Sequence, residues 1–387
     1  MKITDKGILK ITVFALIILT LFTPAQAYYS AYVHLGLLGL CFLVAGKAQR
    51  EVFFFVFGGV FLCGIFVLMT IAKELGTVMT IIGFFLHYLT WPTVFLCVTR
   101  AYSYKEMKRL LLIIVGLCII GDVLSLIQLN INPDIARLLA GVSLEEEKIM
   151  FYKKGVGGYG YVFAMAFLTF GIVRWLRTTD KLWERAYLIV FLVINSLFVL
   201  YAAYTTAIMI TILMAGVALM SGAKNKYRLL IVMIALLIVV CFRMPIIEFC
   251  YNVANDLEIE WVAKRFGQLL YAQKEDDLSS LRRFELYKLS WNTFLRHPLF
   301  GGGIYGGHSQ VLDVLAGYGV FGFALIWLFN NCKKLCEKVL VQSNLTIFFF
   351  TFFAFACIDT CSVMQLPVAV FFVVPLIAYM EIKGEKM

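Results

Sequence analysis

Apolar segments of about twenty residues follow one another along most of the chain, and this repetition restricts the possible folds more than any other feature. A helix needs about 20 mostly apolar residues to cross the hydrocarbon of a bilayer. The chain offers about twelve such segments, centred near residues 16, 37, 61, 88, 118, 167, 193, 212, 237, 320, 352 and 372. With 62% hydrophobic and only 15% charged residues, it carries more apolar surface than a soluble core can bury. The sequence predicts an all-α polytopic membrane protein.

Lysines and arginines cluster in alternate loops, and this alternation predicts the orientation because basic loops stay on the cytoplasmic side. The basic loops contain Lys2/Lys6, Lys47/Arg50, Arg100/Lys105/Lys108/Arg109, Arg174/Arg177/Lys181/Arg185, Lys224/Lys226/Arg228, Lys333/Lys334/Lys338 and Lys383/Lys386. Both termini are then cytoplasmic, and the loops at 129–157, near Tyr204 and at 249–308 lie outside. The net charge of +10 follows from this topology and does not indicate nucleic-acid binding.

The outer loop 249–308 separates the ninth and tenth helices of what we expect to be one membrane domain, 1–387. It concentrates the charged side chains of an otherwise apolar chain. Its sequence predicts one helix at about 258–273 and a second that stops before His297-Pro298. In the second helix, Leu281, Phe284, Trp291 and Phe294 recur at helical spacing, which predicts an apolar face for packing. We expect a reaction centre at the membrane surface in this loop.

Three features of the loop could carry chemistry. Arg282 and Arg283 form a pair whose guanidinium groups can bind phosphate oxygens in a bidentate geometry, although a solvated charged face is the alternative. The turn Gly301-Gly302-Gly303 precedes a membrane helix, where backbone N–H groups can attract an anion. His308 stands at that helix start and is a candidate general base, with a structural role as the alternative.

Few charged residues fall inside the apolar segments, and this argues against a transport path through the bilayer. Asp122, Arg243 and Asp359 lie near the outer ends of their segments, so we expect them to face an outer vestibule. His87 and Asn195 lie deeper, where hydrogen bonds between helices are the expected role. The polar groups therefore gather on one side of the membrane.

The residues from Arg283 to Gly322 resemble the C-terminal signature of the O-antigen polymerase and ligase family. The matching positions, in order, are Arg283, Tyr287, His297-Pro298-Leu299-Phe300-Gly301-Gly302-Gly303, His308, Leu312, Leu315 and Gly319-Val320-Phe321-Gly322. The resemblance implies an integral-membrane glycosyltransferase of about a dozen helices with a large outer loop. It further implies a bacterial inner membrane, a site on the periplasmic face, and a reaction that uses no metal or other cofactor.

The resemblance also implies roles for individual residues. Arg283 matches the diphosphate-binding arginine of the family, and His308 matches its histidine near the acceptor. Further candidates for contacting phosphates or sugars are Arg282, Arg265, Arg243, Lys154 and the glycines Gly301, Gly302 and Gly303. The expected partners are an undecaprenyl-diphosphate-linked oligosaccharide and the lipid bilayer, together with a chain-length regulator and a flippase.

Three departures from the family pattern favour a polymerase over a ligase. Tyr204-Thr205-Thr206-Ala207 stands where many ligases have an arginine, Ser309 stands where Asn is common, and the stretch 153–164 lacks the usual Pro-Asn. We therefore predict a surface-polysaccharide polymerase that joins undecaprenyl-diphosphate-linked repeat units of O-antigen, capsule or a related polymer. The alternatives are an O-antigen ligase that transfers the glycan to lipid A core, and a non-enzymatic flippase for the lipid-linked oligosaccharide.

Overall fold

The computed structural model is helical throughout the part of the chain that it describes, with no strand in that part. It describes residues 5–44, 49–75, 78–132, 134–141, 145–202, 204–220, 243–256, 258, 263, 266, 267, 270, 283–340 and 345–384. The predicted helix at about 258–273 and the predicted membrane segment near residue 237 therefore lie largely or wholly outside the described residues.

The first half of the chain forms α1 (Asp5–Leu21), α2 (Thr23–Gln26), α3 (Ala31–Val44), α4 (Gln49–Lys73), α5 (Val78–Ala101), α6 (Tyr104–Ile131), α7 (Ile135–Gly141), α8 (Glu145–Lys153) and α9 (Tyr159–Thr178). The second half forms α10 (Leu182–Ala202), α11 (Thr205–Met220), α12 (Arg243–Asp256), α13 (283–296), α14 (Gln310–Tyr318), α15 (Phe323–Glu337), α16 (Thr346–Ile358) and α17 (Gln365–Gly384). A 3-10 turn, Gly319–Gly322, joins α14 to α15.

Seven described helical segments are long and apolar enough to cross a membrane. They are Val52–Lys73, Val78–Ala101, Tyr104–Ile131, Tyr159–Thr178, Leu182–Ala202, Gln310–Glu337 and Gln365–Gly384. Four shorter apolar helices, Gly7–Leu21, Ala31–Cys41, Thr206–Met220 and Thr346–Ile358, coincide with further predicted segments. The prediction of a helical polytopic membrane protein is confirmed, whereas the total of about twelve spans and their orientation stay predictions.

Helices α5, α9 and α17 form the centre of the bundle. In each of them, 83% of the most apolar stretch is buried, against 22% in α4. Helix α9 packs against α10, α11 and α17, and α5 packs against α3, α4 and α15. Gly171 lets α9 approach α17 closely, because a Cβ there would lie 2.9 Å from Cδ1 of Ile377. Small residues at such contacts are typical of membrane helices.

Buried ion pairs hold the end of the bundle that the charge pattern predicts to be cytoplasmic. The carboxylate of Glu184 is fully buried, and its Oε1 lies 2.7 Å from Nζ of Lys108. Thr179 donates a hydrogen bond of 2.6 Å to the other oxygen of this carboxylate. Arg174 on α9 pairs with Glu381 on α17. These pairs satisfy charges that hydrocarbon would otherwise penalise.

The outer helix α13 is only partly as predicted. It ends at residue 296, so the predicted stop before His297 is confirmed. The predicted packing face is wrong for Phe284, which is 68% exposed, and for Trp291, which is 45% exposed, while Ser290 and Thr293 are buried. Phe294 is partly buried, with its ring centroid 6.4 Å from that of Phe323, and Leu281 lies outside the described residues. At a membrane surface an apolar face can contact lipid instead of protein. The polar side of α13 is therefore free to pack on the bundle.

We expect Lys108→Met to destabilise the protein, because it leaves the buried carboxylate of Glu184 without a countercharge. Removal of one partner of a buried ion pair costs about 3–5 kcal/mol. Denaturant unfolding of the detergent-purified protein measures this change. The matched control is Lys333→Met, which removes the partly exposed pair between Lys333 and Glu337 and should cost less than about 1 kcal/mol. Equal losses in the two variants would contradict the assignment.

Candidate functional site

A cavity of about 990 Å³ opens at one end of the bundle. The lining comes from the end of α2 and the segment after it, the first turns of α5, α7, α8, the start of α9, and the start of α11 with the residue before it. The start of α13, the turn before α14, and the loop between α16 and α17 with the first residue of α17 complete it. The charge pattern assigns every one of these segments to the outer side. The volume lies at the upper end of the range for ligand sites, about 300–1,000 Å³, so the cavity can hold an extended ligand.

The side chains of Arg283 and His308 both line this cavity. Asp359, in the loop after α16, lines it as well. Burial raises the pKa of the Asp359 carboxyl. The hydroxyl of Tyr159, the backbone N–H of Thr360 and the charges of Arg283 and His308 oppose this shift. The cavity therefore brings together a guanidinium, an imidazole and a carboxyl from three separate parts of the chain.

A hydrogen-bond network centred on Asp313 connects the helix of Arg283 to the helix start at His308. Oδ1 of Asp313 accepts a hydrogen bond of 2.6 Å from Ser290 on α13, and Oδ2 accepts one of 3.0 Å from the N–H of Ser309. The hydroxyl of Ser290 in turn accepts the N–H of Gly306 at 2.8 Å. These hydrogen bonds fix the first turn of α14, and they tie the position of His308 to that of α13.

Ser309 and Gln310 attach the start of α14 to the neighbouring helix α16 and its loop. The Ser309 hydroxyl donates to the carbonyl of Cys357 at 2.7 Å and accepts the N–H of Leu312 at 3.1 Å, so it caps α14. The N–H of Gln310 donates to the carbonyl of Asp359 at 3.1 Å. His308 and Asp359 are thereby held on adjoining pieces of backbone.

The glycine turn is occupied by contacts within the chain. The N–H of Gly301 donates to the carbonyl of His297, and the N–H groups of Gly302 and Gly303 donate to that of Ala316. Gly301 has φ of +80°, and a Cβ there would lie 2.4 Å from the carbonyl oxygen of Gly317. The glycines thus allow close packing of the turn on α14. Substrate binding by these three residues stays a prediction that requires the turn to rearrange.

Lys73 holds the same turn from the end of α4. Its Nζ donates to the carbonyl of Phe300, to that of Gly301 at 2.9 Å and to that of Gly317 at 3.2 Å. Tyr305 adds a hydrogen bond of 3.2 Å to the carbonyl of Leu75. The sequence had given no role to Lys73, because its partners are backbone carbonyls more than two hundred residues away.

The other predicted binding residues are not brought to the cavity in the described part of the chain. Lys154 is exposed directly after α8 and does not line the cavity. Arg243 begins α12, but its side chain lies outside the described residues, as do Arg265 and Arg282 altogether. Roles for these four residues stay predictions.

The structure adds cavity residues that the sequence did not indicate. Lys148 on α8 lines the cavity, and so do Tyr29 and His87. The expectation of a vestibule fits Asp359, whereas Asp122 is fully buried and outside the lining. The four-residue spacing of Met79, Gly83 and His87 could have revealed one helix face, but the glycine and the mixed polarity gave no clear period.

The described residues contain no group of three or more His, Cys, Asp or Glu side chains that could hold a metal ion. The charged groups around the cavity are instead Arg283, Lys148, His308 and Asp359. Two cations and an imidazole facing one carboxyl are suited to binding an anionic group. Guanidinium groups in particular bind phosphate oxygens through two parallel hydrogen bonds.

Residues 190–327 match a family model described as O-antigen ligase. The matched segment starts within α10 and ends within α15, and it includes both Arg283 and His308. No curated protein and no solved structure was found to match the chain. The resemblance that the sequence carries to the O-antigen polymerase and ligase family is therefore confirmed.

We expect Asp359→Asn to raise the thermal unfolding temperature at pH 7, since it removes a carboxylate whose charge is penalised by burial. The pKa of this group is raised on folding, so the folded protein binds the proton more tightly than the unfolded protein does. The folded protein therefore loses stability as the pH rises from the unfolded pKa through the folded pKa. The gain should shrink towards pH 4, where the carboxyl is protonated. Exposed Asp134→Asn is the control, and an equal gain at both pH values would contradict the prediction.

Proposed function

We propose that this chain, whose residues 190–327 match a family model described as O-antigen ligase, is a surface-polysaccharide polymerase. It would join undecaprenyl-diphosphate-linked repeat units at the periplasmic face of a bacterial inner membrane. The observation that carries the proposal is the single cavity lined by Arg283, His308 and Asp359. A site for a lipid diphosphate and an acceptor hydroxyl needs a cation and a base that face the same space.

In the proposed reaction, the oxygen of an acceptor sugar hydroxyl attacks the anomeric carbon of the donor glycan. The bond from this carbon to the diphosphate oxygen breaks, and undecaprenyl diphosphate leaves with the bonding electrons. The hydroxyl proton passes to the neutral imidazole of His308, which acts as the general base. The products are a glycan longer by one repeat and free lipid diphosphate, so the energy of the phosphate ester drives the step without a nucleotide sugar.

Arg283 would bind the diphosphate and stabilise the negative charge that grows on its leaving oxygen. Loss of one preorganised donor that stabilises such a charge lowers the rate about 10²–10³-fold. The position of Arg283 supports this role, because it lines the cavity at the start of α13 while Tyr287, one turn later, donates a hydrogen bond to the carbonyl of Ile358 beside Asp359.

Asp359 would stabilise the imidazolium that forms when His308 accepts the proton. In other hydrolytic and transfer sites, a buried carboxylate beside a catalytic histidine orients the imidazole ring and stabilises its positive charge. The electrostatic coupling of Asp359 to both Arg283 and His308 supports this assignment. Asp359→Asn would then gain stability, as argued above, and lose activity.

The cavity wall favours the polymerase over the ligase. Tyr204 and Thr206 line the cavity at the segment where many ligases have an arginine, so the second diphosphate arginine is replaced by neutral groups. Lys148 supplies a positive charge at the same cavity. The ligase is the second candidate, because the matching family model is described as O-antigen ligase.

Arg283→Ala and His308→Ala should each abolish long polymer while single-repeat material persists, because the first removes the group that stabilises the leaving diphosphate and the second removes the base that activates the acceptor hydroxyl. Arg283→Lys should retain a small part of the activity, since lysine keeps the charge without the bidentate geometry. Electrophoresis of surface polysaccharide, with immunoblotting to verify equal protein levels, gives the measurement. Exposed Arg296→Ala at the end of α13 is the matched control. Normal chain length in either site variant would refute its role.

The number of repeats attached to the core separates the two enzyme candidates. In a strain lacking a polymerase, one repeat remains attached to lipid A core. In a strain lacking a ligase, none is attached and lipid-linked polymer accumulates.

The flippase alternative is tested with purified protein in proteoliposomes. If the protein is an enzyme, lipid-linked repeats should lengthen without a nucleotide sugar. Repeats that change leaflet without growing would refute the enzyme proposal.

A further inference from the structure

One face of α5 forms part of the cavity wall. Met79, Thr80, Gly83, Phe84 and His87 all line the cavity, and their spacing places them on one side of the helix. With a rise of about 1.5 Å per residue, His87 lies roughly 12 Å along the helix axis from Met79. The cavity therefore runs along α5 for more than two helical turns from the outer end of this helix.

The lining in this region contains a group of neutral polar side chains, which we call the neutral patch: Gln26, Tyr29, His87 and Gln365. The hydroxyl of Tyr29 lies 3.0 Å from Nε2 of His87. The carboxamide of Gln365 donates to that of Gln26 at 2.9 Å. Burial raises the pKa of the Tyr29 phenol, so this hydroxyl stays protonated.

A second histidine supports the neutral patch from behind. Nε2 of His34 lies 2.9 Å from the hydroxyl of Thr90, whose proton is donated to the carbonyl of Leu86. The Nε2 of His34 must therefore be the donor. The rings of His34 and His87 meet edge to face with centroids 4.9 Å apart. Such packing fixes the ring of His87.

Unused polar atoms remain in this cluster. Nδ1 of His34 and Nδ1 of His87 are buried and have no hydrogen-bond partner among the described residues. His87 is 7% exposed and lines the cavity. Buried polar groups without partners are rare and call for a ligand, a water molecule or a functional role. A hydrogen bond within the bundle, the role predicted for His87, accounts for its Nε2 through Tyr29. Its Nδ1 is left without a partner.

Aromatic rings also line the cavity. Phe84, Tyr159, Phe163 and Tyr204 contribute to its lining. The ring centroids of Tyr159 and Phe163 are 4.7 Å apart, and those of Tyr159 and Tyr204 are 5.6 Å apart. Flat apolar rings combined with a few placed hydrogen-bonding groups are typical of sites for small organic ligands. A sugar ring presents the matching surface, with C–H faces and hydroxyl edges.

We propose that the neutral patch is a saccharide subsite, in which the hydroxyl of Tyr29 and the ring of His87 bind hydroxyl groups of the lipid-linked glycan. This inference rests on the proposed function. The charged and the neutral lining residues bind different parts of the substrate: Arg283 and Lys148 bind the diphosphate, and the neutral patch binds a sugar. Hydroxyl groups both donate and accept, so neutral partners bind them without the desolvation cost of an unpaired charge.

The test uses Tyr29→Phe, which removes one oxygen and keeps the ring. The matched control is Tyr28→Phe on the neighbouring residue, which is 71% exposed and does not line the cavity. Both proteins are purified in nanodiscs and given lipid-linked single repeats and lipid-linked polymer, varied separately. Loss of one hydrogen bond to a sugar should raise KM for one of these substrates about five- to tenfold with kcat nearly unchanged.

The two substrates distinguish the source of the bound sugar, since a higher KM for the single repeat assigns the subsite to the acceptor and a higher KM for the polymer assigns it to the donor. His87→Asn should raise the same KM as Tyr29→Phe, and the double variant should add little because the two side chains act together. Thermal unfolding of each variant accompanies the assay.

An unchanged KM in Tyr29→Phe, or a loss that appears only as a lower unfolding temperature or a lower kcat, would overturn the subsite. Failure of the proposed function is seen separately, because the wild-type protein would then not lengthen lipid-linked repeats at all. Binding of undecaprenyl diphosphate without sugar, measured by native mass spectrometry, should be unaffected by Tyr29→Phe and weakened by Arg283→Ala.

Discussion

Polar groups that face hydrocarbon without a partner cost several kcal/mol each, and this constraint governs the whole molecule. It forces the described backbone into helices. It also explains why Glu184 is paired with Lys108 and why Asn195 donates to the hydroxyl of Thr169 on α9. The same constraint makes the cavity informative, since Arg283, His308 and Asp359 line one accessible space at one end of the bundle.

The cavity depends on connections between segments that are distant in the chain. Asp313 links α13 to the start of α14 through Ser290 and Ser309, and Lys73 holds the glycine turn through three carbonyls. These connections are made by backbone groups, serine hydroxyls and the side chains of Asp313 and Lys73. They do not use the side chains of Arg283 and His308, which leaves the guanidinium and the imidazole available for a ligand.

Part of the site could be predicted because its residues are close together in the sequence. Arg283 and His308 were identified from a forty-residue pattern, and they line the same cavity. Lys154 was predicted as a binding residue and Lys148 was not, yet Lys148 within α8 lines the cavity, whereas Lys154 directly after this helix does not. The glycine turn predicted an anion site, but its N–H groups donate hydrogen bonds to the backbone carbonyls of His297 and Ala316.

The sequence by itself determined the membrane class, the helical segments and the region of the charged chemistry, because hydropathy and charge act locally along a chain. Tertiary structure alone decided which segments meet. It placed Tyr29 from the loop before α3 against His87 of α5, and it brought Asp359 into the cavity of Arg283 and His308. Packing between helices sets those distances, and no local pattern contains them.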